Sequence, residues 1–199
     1  KEGVNTKMSE PSMDEIRKSL KKELDKSRYE HTMGVMYTAA ALAMAHGADQ
    51  KKAMLAGLLH DCAKCIPNEE KMELCKKYHI ELTQAEIDNP ALIHAKLGAF
   101  LARKKYHVTD EEVLHAILVH TTGEPGMNLL DKIIYIADYI EPGRDKAKNL
   151  AVVRPLCFRD LNAALLKILS DTLDYLKSTG KEIDPLTEQT CQYYKAKEK

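Results

Sequence analysis

Histidine and aspartate residues recur along this chain where apolar segments end or are interrupted. The pair His60-Asp61 follows the apolar run at residues 53–59, and the other members of the series are His31, His94, His120 and Asp138. Polar groups buried at such places without partners are costly, so they must bond to one another or to a metal ion. Imidazole and carboxylate ligands together suit iron, manganese, cobalt, nickel or zinc, whereas magnesium and calcium prefer oxygen ligands.

Four histidines and two aspartates are too many ligands for one open catalytic ion. They suit two ions that share a bridging carboxylate, each with a position left for water or phosphate. Asp61 is the natural bridge, because it adjoins one histidine ligand and lies in the middle of the series. We assign the first ion to His31, His60, Asp61 and Asp138, and the second to Asp61, His94 and His120.

Each ligand also has a simpler explanation when it is taken alone. His31 could be a surface histidine at a helix start, and His94 and His120 could be hydrogen-bonded histidines of the core. Asp138 is harder to explain in this way, because a carboxylate within so apolar a helix needs a cation. Taken together, the six positions favour the metal interpretation. The remaining histidines, near helix ends or among charges, are expected to be solvated; they are His46, His79, His107 and His115.

Composition sets limits on the class of protein. The 199 residues include 30 basic and 30 acidic residues, which predicts a single domain and argues against a nucleic acid polymer as partner. No apolar stretch reaches the roughly 18 residues that a membrane span needs, and the start lacks a signal sequence, so we expect a soluble, cytoplasmic protein without a membrane partner. Residues 1–12 are predicted to be a flexible leader before one domain at 13–199.

The five cysteines are predicted to be free thiols. Cys62 and Cys65 form a C-x-x-C that could be a redox dithiol or half of a zinc site, but no second such pair exists and the other three cysteines are scattered.

The apolar spacing predicts an all-α fold, with no segment that alternates at period two. Capping boxes are predicted at Ser12/Glu15, Thr83/Glu86 and Thr109/Glu112, and Gly47 and Gly180 are expected to end helices. The predicted helices cover residues 13–24, 29–46, a stretch from 50 to before Pro67 that carries the His60-Asp61 pair, 68–78, 92–105, 110–120, 128–140, 158–178 and a short segment after Pro185.

The helix at 158–178 carries a leucine stripe with two interpretations. Leu161, Leu165, Leu169 and Leu173 recur along one face, with Leu176 beyond them. Such a stripe could form a homodimer, but it is more often the way a helix packs into its own core, and we favour core packing.

The motifs around these ligands resemble the HD-domain phosphohydrolases, which are metal-dependent, all-helical enzymes. The resemblance narrows to the YqeK-type symmetrical bis(5'-nucleosyl)-tetraphosphatases and covers the chain from Arg28 onward; Cys62 departs from it, since an aromatic residue is expected there. The segments that carry it are 28–32 (RYEHT), 58–64 (LLHDCAK), 93–96 (IHAK), 120–123 (HTTG) and 130–144 (LDKIIYIADYIEPGR). The fold implied is an HD-domain helical bundle with the C-terminal helices packed on it.

The resemblance implies cleavage of diadenosine tetraphosphate into two ADP by a metal-activated hydroxide at a dinuclear centre, with iron as the expected metal and manganese, cobalt or nickel as alternatives. Such a site must neutralise a polyphosphate, which requires fixed cations beyond the metal ions. With Asp61, the residues expected to be catalytic are Lys64, Lys96 and Arg144. These three cations are also expected to bind substrate, together with Arg28, Thr121 and Thr122.

The sequence is compatible with three alternatives. The substrate could instead be another nucleotide, such as a nucleoside phosphate or a guanosine alarmone. The domain could also be a nucleotide sensor without turnover, although every ligand position is filled. Tyr78, Tyr135 and Tyr139 could stack on adenine or belong to the core.

Overall fold

The computed structural model describes residues 11–180 and 183–197, and these form helices and connecting turns without a strand. The predicted all-α class is confirmed. Most of the predicted leader, residues 1–10, lies outside the described residues. The helices are α1 Met13–Glu23, α2 Lys26–His46, α3 Gln50–Leu59, α4 Asn68–Lys77, α5 Gln84–Asp88, a 3-10 turn Pro90–Leu92, α6 Ile93–Lys105, α7 Glu111–Val119, α8 Leu129–Ile140, α9 Leu150–Cys157, α10 Leu161–Thr179 and α11 Pro185–Lys197.

Side-chain caps set several helix starts, as the sequence predicted. Ser12 and Thr83 form capping boxes with Glu15 and Glu86, which confirms both predictions. The box predicted at Thr109 is wrong: Asp110 is the N-cap of α7, and its Oδ1 accepts hydrogen bonds from the amides of Glu112 and Val113 at 3.0 and 3.2 Å. Asp is among the strongest N-cap residues, so α7 begins after Asp110.

Helix α9 was not predicted, and Pro155 within it explains why, since proline argues against a helix interior. Tertiary contacts hold this short helix in place. Val153 and Cys157 are buried, and the Arg154 side chain donates hydrogen bonds to the carbonyls of Ile140, Glu141 and Arg144. The following helix consequently begins at Leu161 behind the Asp160 cap, three residues later than predicted.

Two helices end directly before a metal-ligand candidate. Helix α3 stops at Leu59 instead of continuing toward Pro67, so that His60 is its C-cap and residues 60–65 form turns. Helix α7 likewise stops at Val119, with His120 as its C-cap. These ligands therefore lie at helix ends, where the chain turns and their side chains can approach a common point.

The core of the bundle lies where α2 packs along α3 and α8 packs against α2 and α7. At Gly57 the helices approach so closely that a Cβ would lie 3.0 Å from Met36 Cα. The leucine stripe of α10 is buried within the chain, which confirms core packing for Leu161, Leu165, Leu169 and Leu173. The homodimer stays a prediction.

Two further predictions concern the cysteines and the membrane. All five cysteines are unpaired, as expected. Within 11–180 and 183–197, none of the helices is both long and apolar enough to span a bilayer.

Candidate metal centre

Five helices or helix ends bring the six candidate ligands together. His31 comes from α2, His94 from α6 and Asp138 from α8, while the His60-Asp61 pair and His120 follow the ends of α3 and α7. The imidazole rings form a row, with centroid distances of 5.4 Å from His31 to His60, 5.0 Å from His60 to His120 and 5.1 Å from His120 to His94. The structure therefore gathers all four histidines that the sequence singled out.

The Nδ1 atom of each of these histidines is held by an oxygen outside the cluster. For His60, His94 and His120 the oxygen is a backbone carbonyl three residues earlier, on Gly57, Ala91 and Ile117, at 2.7, 2.6 and 2.7 Å. For His31 it is Glu141 Oε1 at 3.0 Å. An Nδ1–H that donates to such an oxygen leaves Nε2 as an unprotonated metal ligand. All four Nε2 atoms face the same centre.

The two carboxylate oxygens of Asp61 face different histidines. Oδ2 lies 3.4 Å from His60 Nε2 and 3.8 Å from His31 Nε2. Oδ1 lies 3.3 Å from His94 Nε2 and 3.5 Å from His120 Nε2. One carboxylate thus has an oxygen for each half of the ligand set, which is the arrangement that a bridging ligand requires.

Asp138 belongs to the His31 side of the cluster. Its Oδ1 lies 3.0 Å from His31 Nε2 and 4.0 Å from His60 Nε2. His31 and His60 thus lie near Asp138 and Asp61 Oδ2, whereas His94 and His120 lie near Asp61 Oδ1, and His60 is also close to His120. This arrangement is compatible with the two sets assigned from the sequence, which stay a prediction. The first contains His31, His60, Asp61 and Asp138, and the second contains Asp61, His94 and His120.

Several buried atoms of this cluster lack a hydrogen bond of acceptable geometry among the described residues. They are His31 Nε2, His60 Nε2 and Asp61 Oδ1. A buried polar atom without a partner costs about 1–3 kcal/mol. Metal coordination would satisfy these atoms, and the nitrogen and oxygen donors suit a first-row transition metal. The residues present therefore fit a metal centre.

The ionisation of the carboxylates also suits cation binding. Burial alone would raise the pKa of Asp61, but His60, His120 and His94 hold it well below its usual range. Burial would likewise raise the pKa of Asp138, but the neighbouring His31, His60 and Arg144 outweigh burial and lower it. Both carboxyl groups are thus negatively charged at neutral pH. Burial lowers the pKa of His94 to about 4, which keeps its imidazole neutral and able to coordinate.

Three cationic residues predicted to bind substrate lie against the ligand cluster. Arg28 Nη1 is 2.7 Å from Asp61 Oδ2, and Arg144 Nη2 is 2.8 Å from Asp138 Oδ1. Lys64 Nζ lies 3.2 Å from His94 Nε2. The hydroxyl of Thr121 lies 3.2 Å from Nε2 of both His94 and His120. These four side chains line the same cavity as the ligands.

Two predicted substrate contacts are placed elsewhere and need correction. Lys96 Nζ donates to the Glu81 carbonyl at 2.8 Å and to Glu86 Oε2 at 2.7 Å. Residues two apart on a helix do not share a face, so Lys96 points away from the metal side on which His94 lies. The hydroxyl of Thr122 donates to the Gly123 carbonyl at 3.0 Å, within its own turn.

Glu141 is a residue of the site that sequence reasoning missed. It is 3 % exposed; one carboxylate oxygen faces His31 Nδ1, and the other accepts a hydrogen bond from the Gly143 amide at 2.6 Å. Gly34 leaves room for it, because a Cβ there would overlap the Glu141 carboxylate. Its position three residues after Asp138 was the available signal, since that spacing places both side chains on one side of a helix.

Other histidines predicted to be solvated have partners. His46 Nε2 lies 2.6 Å from the Cys157 carbonyl. His115, Glu124 and Asp131 form a separate cluster, in which Nδ1 lies 3.0 Å from Asp131 Oδ1 and Nε2 lies 3.0 Å from Glu124 Oε1. Because each carboxylate faces a different ring nitrogen, this arrangement suits a charged histidine between two carboxylates and not ligands converging on one ion.

The ligands open into a cavity of about 890 Å³. Its walls come from the start of α2, from α8, from residues 141–148 and from one face of α10. The volume is within the range of about 300–1,000 Å³ that is usual for small-molecule sites. The metal cluster thus lies beside a space that can hold an organic substrate.

Comparisons with known proteins agree with this geometry. The family model described as HD domain matches residues 28–143, which include all six ligand candidates. A curated relative from Bacillus subtilis is 41 % identical over 87 % of this chain and 92 % of its own length. Another, from Halalkalibacterium halodurans, is 42 % identical over 86 % of this chain and 90 % of its own length. Both relatives are named symmetrical bis(5'-nucleosyl)-tetraphosphatase.

A solved structure from Clostridium acetobutylicum has a similar fold. The protein is described as a predicted HD superfamily hydrolase involved in NAD metabolism. It is 42 % identical and superposes with a TM-score of 0.91, over 95 % of this chain and all of the other.

Proposed function

The chain belongs to the HD domain family of hydrolases, and we propose that it hydrolyses diadenosine tetraphosphate symmetrically, to two ADP, at a centre of two metal ions. The metal is proposed to be iron, with manganese, cobalt or nickel as alternatives. A cytoplasmic location and the absence of a nucleic acid partner stay predictions from the composition.

One observation carries the dinuclear proposal. The two oxygens of Asp61 face two different pairs of histidine Nε2 atoms, at 3.4 and 3.8 Å on one side and 3.3 and 3.5 Å on the other. A site for one ion would need only one of these pairs. In the His115 cluster, by contrast, the two carboxylates face different ring nitrogens of one histidine and do not converge on a common point.

Two bound ions would supply a hydroxide nucleophile at neutral pH and neutralise charge on the phosphates. The oxygen of water adds to one of the two central phosphorus atoms. The bond from that phosphorus to the central bridging oxygen breaks, and the oxygen leaves with the second ADP. Two identical products result only if the central bridge is the bond that is cleaved.

The protein supplies cations and hydrogen-bond donors around this reaction. Arg28 and Arg144 hold Asp61 and Asp138 in place, and both line the cavity, where their other N–H groups can contact phosphate oxygens. The Lys64 ammonium and the Thr121 hydroxyl lie on the opposite side, beside His94. Cations on both sides suit a substrate whose negative charge extends in two directions from the bond that breaks.

The choice of substrate rests on the relatives. Two that share 41–42 % of their residues with this chain, over at least 90 % of their own length, are named for symmetrical cleavage of dinucleoside tetraphosphates. Within the described residues, none of the six ligand positions is missing from the cluster, which favours an enzyme over a sensor without turnover.

Turnover of the purified, metal-reconstituted chain tests the proposal. Diadenosine tetraphosphate should yield ADP as the only nucleotide product by anion-exchange chromatography. Asp61→Asn should lose bound metal and reduce turnover by at least about 100-fold, because even outer-shell partners of metal ligands contribute 10–100-fold. The matched control is Asp88→Asn, at an exposed position of α5.

Efficient cleavage of a nucleoside triphosphate or a guanosine alarmone, without release of ADP from diadenosine tetraphosphate, would contradict the proposed substrate. Full activity of Asp61→Asn would contradict the bridging role of Asp61.

A further inference from the structure

The cavity beside the metal ligands has a wall that comes from outside the matched HD region. That region ends at residue 143. Residues 144–148 and α10 follow it, and α10 contributes Asp171, Thr172, Tyr175 and Leu176 to the cavity. Positions i, i+1, i+4 and i+5 lie on one side of a helix, so α10 presents a continuous surface there while its leucine stripe packs into the core. We call residues 144–148 and these four residues of α10 the C-terminal wall.

The C-terminal wall is fixed to the rest of the molecule by hydrogen bonds. Tyr139 donates through its hydroxyl to the Lys148 carbonyl at 3.0 Å, and Arg154 Nη2 donates to the Arg144 carbonyl at 2.8 Å. Asn149 Nδ2 donates to Asp171 Oδ2 at 2.8 Å, which joins the segment to α10. A wall held in this way is already in place before a ligand arrives, which lowers the entropic cost of binding.

The charge of this wall favours an anionic ligand. Lys146 and Lys148 are exposed, and neither has a salt-bridge partner in the part of the chain that the structure describes. The Asp171 carboxylate is neutralised by Lys167 Nζ at 2.7 Å, and Arg144 is paired with Asp138, so Asp145 is the acidic residue of the wall that remains to offset Lys146 and Lys148. The excess of cations suits phosphate groups that extend from the metal cluster.

Tyr175 is the aromatic side chain of this wall with a free face. Tyr175 is 60 % exposed. The tyrosines that the sequence offered for base stacking are less exposed: Tyr135 is buried, and Tyr139 and Tyr78 are half-buried. The Tyr139 hydroxyl donates to the Lys148 carbonyl, and Tyr78 packs on Phe100 at a centroid distance of 4.7 Å. A planar base can therefore stack on Tyr175.

We propose that the C-terminal wall binds one nucleoside diphosphate end of the substrate, with the base stacked on Tyr175 beside Leu176 and the phosphates paired with Lys146 and Lys148. The ligand is a nucleotide because the proposed function makes the substrate one. The HD region then supplies the metal chemistry, and the C-terminal wall makes the enzyme select a nucleotide over a simple polyphosphate. The cavity volume suits one nucleotide end of the substrate.

Binding of ADP and of inorganic pyrophosphate to the full, metal-loaded chain separates base recognition from phosphate recognition. In isothermal titration calorimetry, wild type should bind ADP more tightly than pyrophosphate. Tyr175→Ala should weaken ADP binding by about 5- to 150-fold, the range that stacking of a base on an aromatic side chain gives, and leave pyrophosphate binding unchanged. Tyr175→Phe should restore ADP binding, because the ring is kept.

Two other variants complete this test. The control is Tyr37→Ala, which removes a tyrosine that is 54 % exposed on α2 and does not line the cavity; it should bind both ligands as wild type does. The double variant Lys146→Ala/Lys148→Ala should weaken ADP and pyrophosphate together.

Three results would overturn the proposal: wild type that binds ADP no more tightly than pyrophosphate, Tyr175→Ala that binds ADP as wild type does, or Tyr175→Ala that loses affinity for both ligands equally. None of these measurements needs turnover. A chain that passes them and does not cleave diadenosine tetraphosphate would contradict the proposed function and retain the nucleotide site.

Discussion

Glu141 shows how one side chain outside the predicted ligand set can influence the metal centre. The other three histidines are oriented by backbone carbonyls, which mutation cannot remove, whereas His31 is oriented by a carboxylate. A carboxylate partner fixes the tautomer of its histidine and increases the basicity of the metal-binding nitrogen. Glu141 is therefore a positioning residue that acts through His31.

Glu141→Gln should weaken metal binding. The amide keeps the size and a hydrogen-bond acceptor but loses the negative charge behind His31, so we expect a 10- to 100-fold loss of metal affinity, of the order found for such partners. Metal titration monitored by competition with a chelator measures this loss. The matched control is Glu73→Gln, at an exposed position of α4. Affinity equal to that of wild type would show that the Glu141 charge does not act on the metal centre.

Lys64 and Lys96 have different contacts, so their alanine variants can be compared directly. Lys64 Nζ lies 3.2 Å from His94 Nε2, whereas Lys96 is bonded to Glu86. Lys64→Ala should lower kcat/KM for diadenosine tetraphosphate by about 100-fold, as the loss of one electrostatic donor does. Lys96→Ala should leave kcat/KM within about 2-fold and lower the free energy of unfolding by about 1 kcal/mol, because it removes a hydrogen-bond partner of the buried Glu86.

Steady-state kinetics and urea unfolding of both lysine variants check these expectations. A large loss of kcat/KM in Lys96→Ala would show that Lys96 contacts the substrate.

At the scale of elements, the close approach of α2 and α3 positions His31 relative to His60 and Asp61. Gly57 makes this approach possible, since a Cβ there would lie 3.0 Å from the backbone of Met36. Gly57→Ala should therefore destabilise the protein by about 1–3 kcal/mol through overpacking, despite the better helix propensity of alanine. Gly98→Ala in α6 is the control, because its Cβ would meet atoms only at 3.5–3.6 Å.

Urea unfolding of the two glycine variants measures this difference. We expect Gly98→Ala to be neutral or slightly stabilising. Equal stability of Gly57→Ala and wild type would mean that α2 and α3 can separate without cost.

The His115 cluster joins α7 to α8 and to the turn that follows His120. Burial alone would lower the pKa of His115, but Asp131 and Glu124 raise it above its usual value. A histidine whose pKa is raised by folding contributes stability at pH values below its unfolded pKa of about 6.5, and this contribution is lost as the pH rises through the folded pKa.

His115→Gln should therefore destabilise the protein most at pH 5–6, and the difference from wild type should shrink as the pH rises above the folded pKa. Urea unfolding of both proteins between about pH 5 and pH 9 measures this trend. A difference that is constant over this range would show that His115 acts through packing and not through its charge.

At the scale of the whole molecule, the six ligand candidates could be identified because each places a polar group against an apolar segment. The same reasoning predicted most helices from their apolar spacing and caps. It did not find α9, since tertiary contacts through Val153 and Arg154 outweigh the local effect of Pro155. The predicted place of Lys96 beside the metal ligands is not the observed one, because a residue two positions after His94 lies on a different face of α6.

The C-terminal wall could not be predicted for a related reason. Tyr175 is separated from Asp138 by more than thirty residues, and only the packing of α10 against α8 brings it to the cavity. A stripe of leucines indicates the buried side of such a helix, but which neighbouring positions line a cavity depends on the element that faces them.

The central claim is that Asp61 bridges two metal ions, and X-ray anomalous scattering from crystals of the metal-loaded chain tests it most directly. The structure predicts two first-row transition-metal peaks, one between His31, His60 and Asp138 and the other between His94 and His120, with Asp61 in contact with both. A single peak, or none, in crystals of protein that retains full activity would contradict the claim.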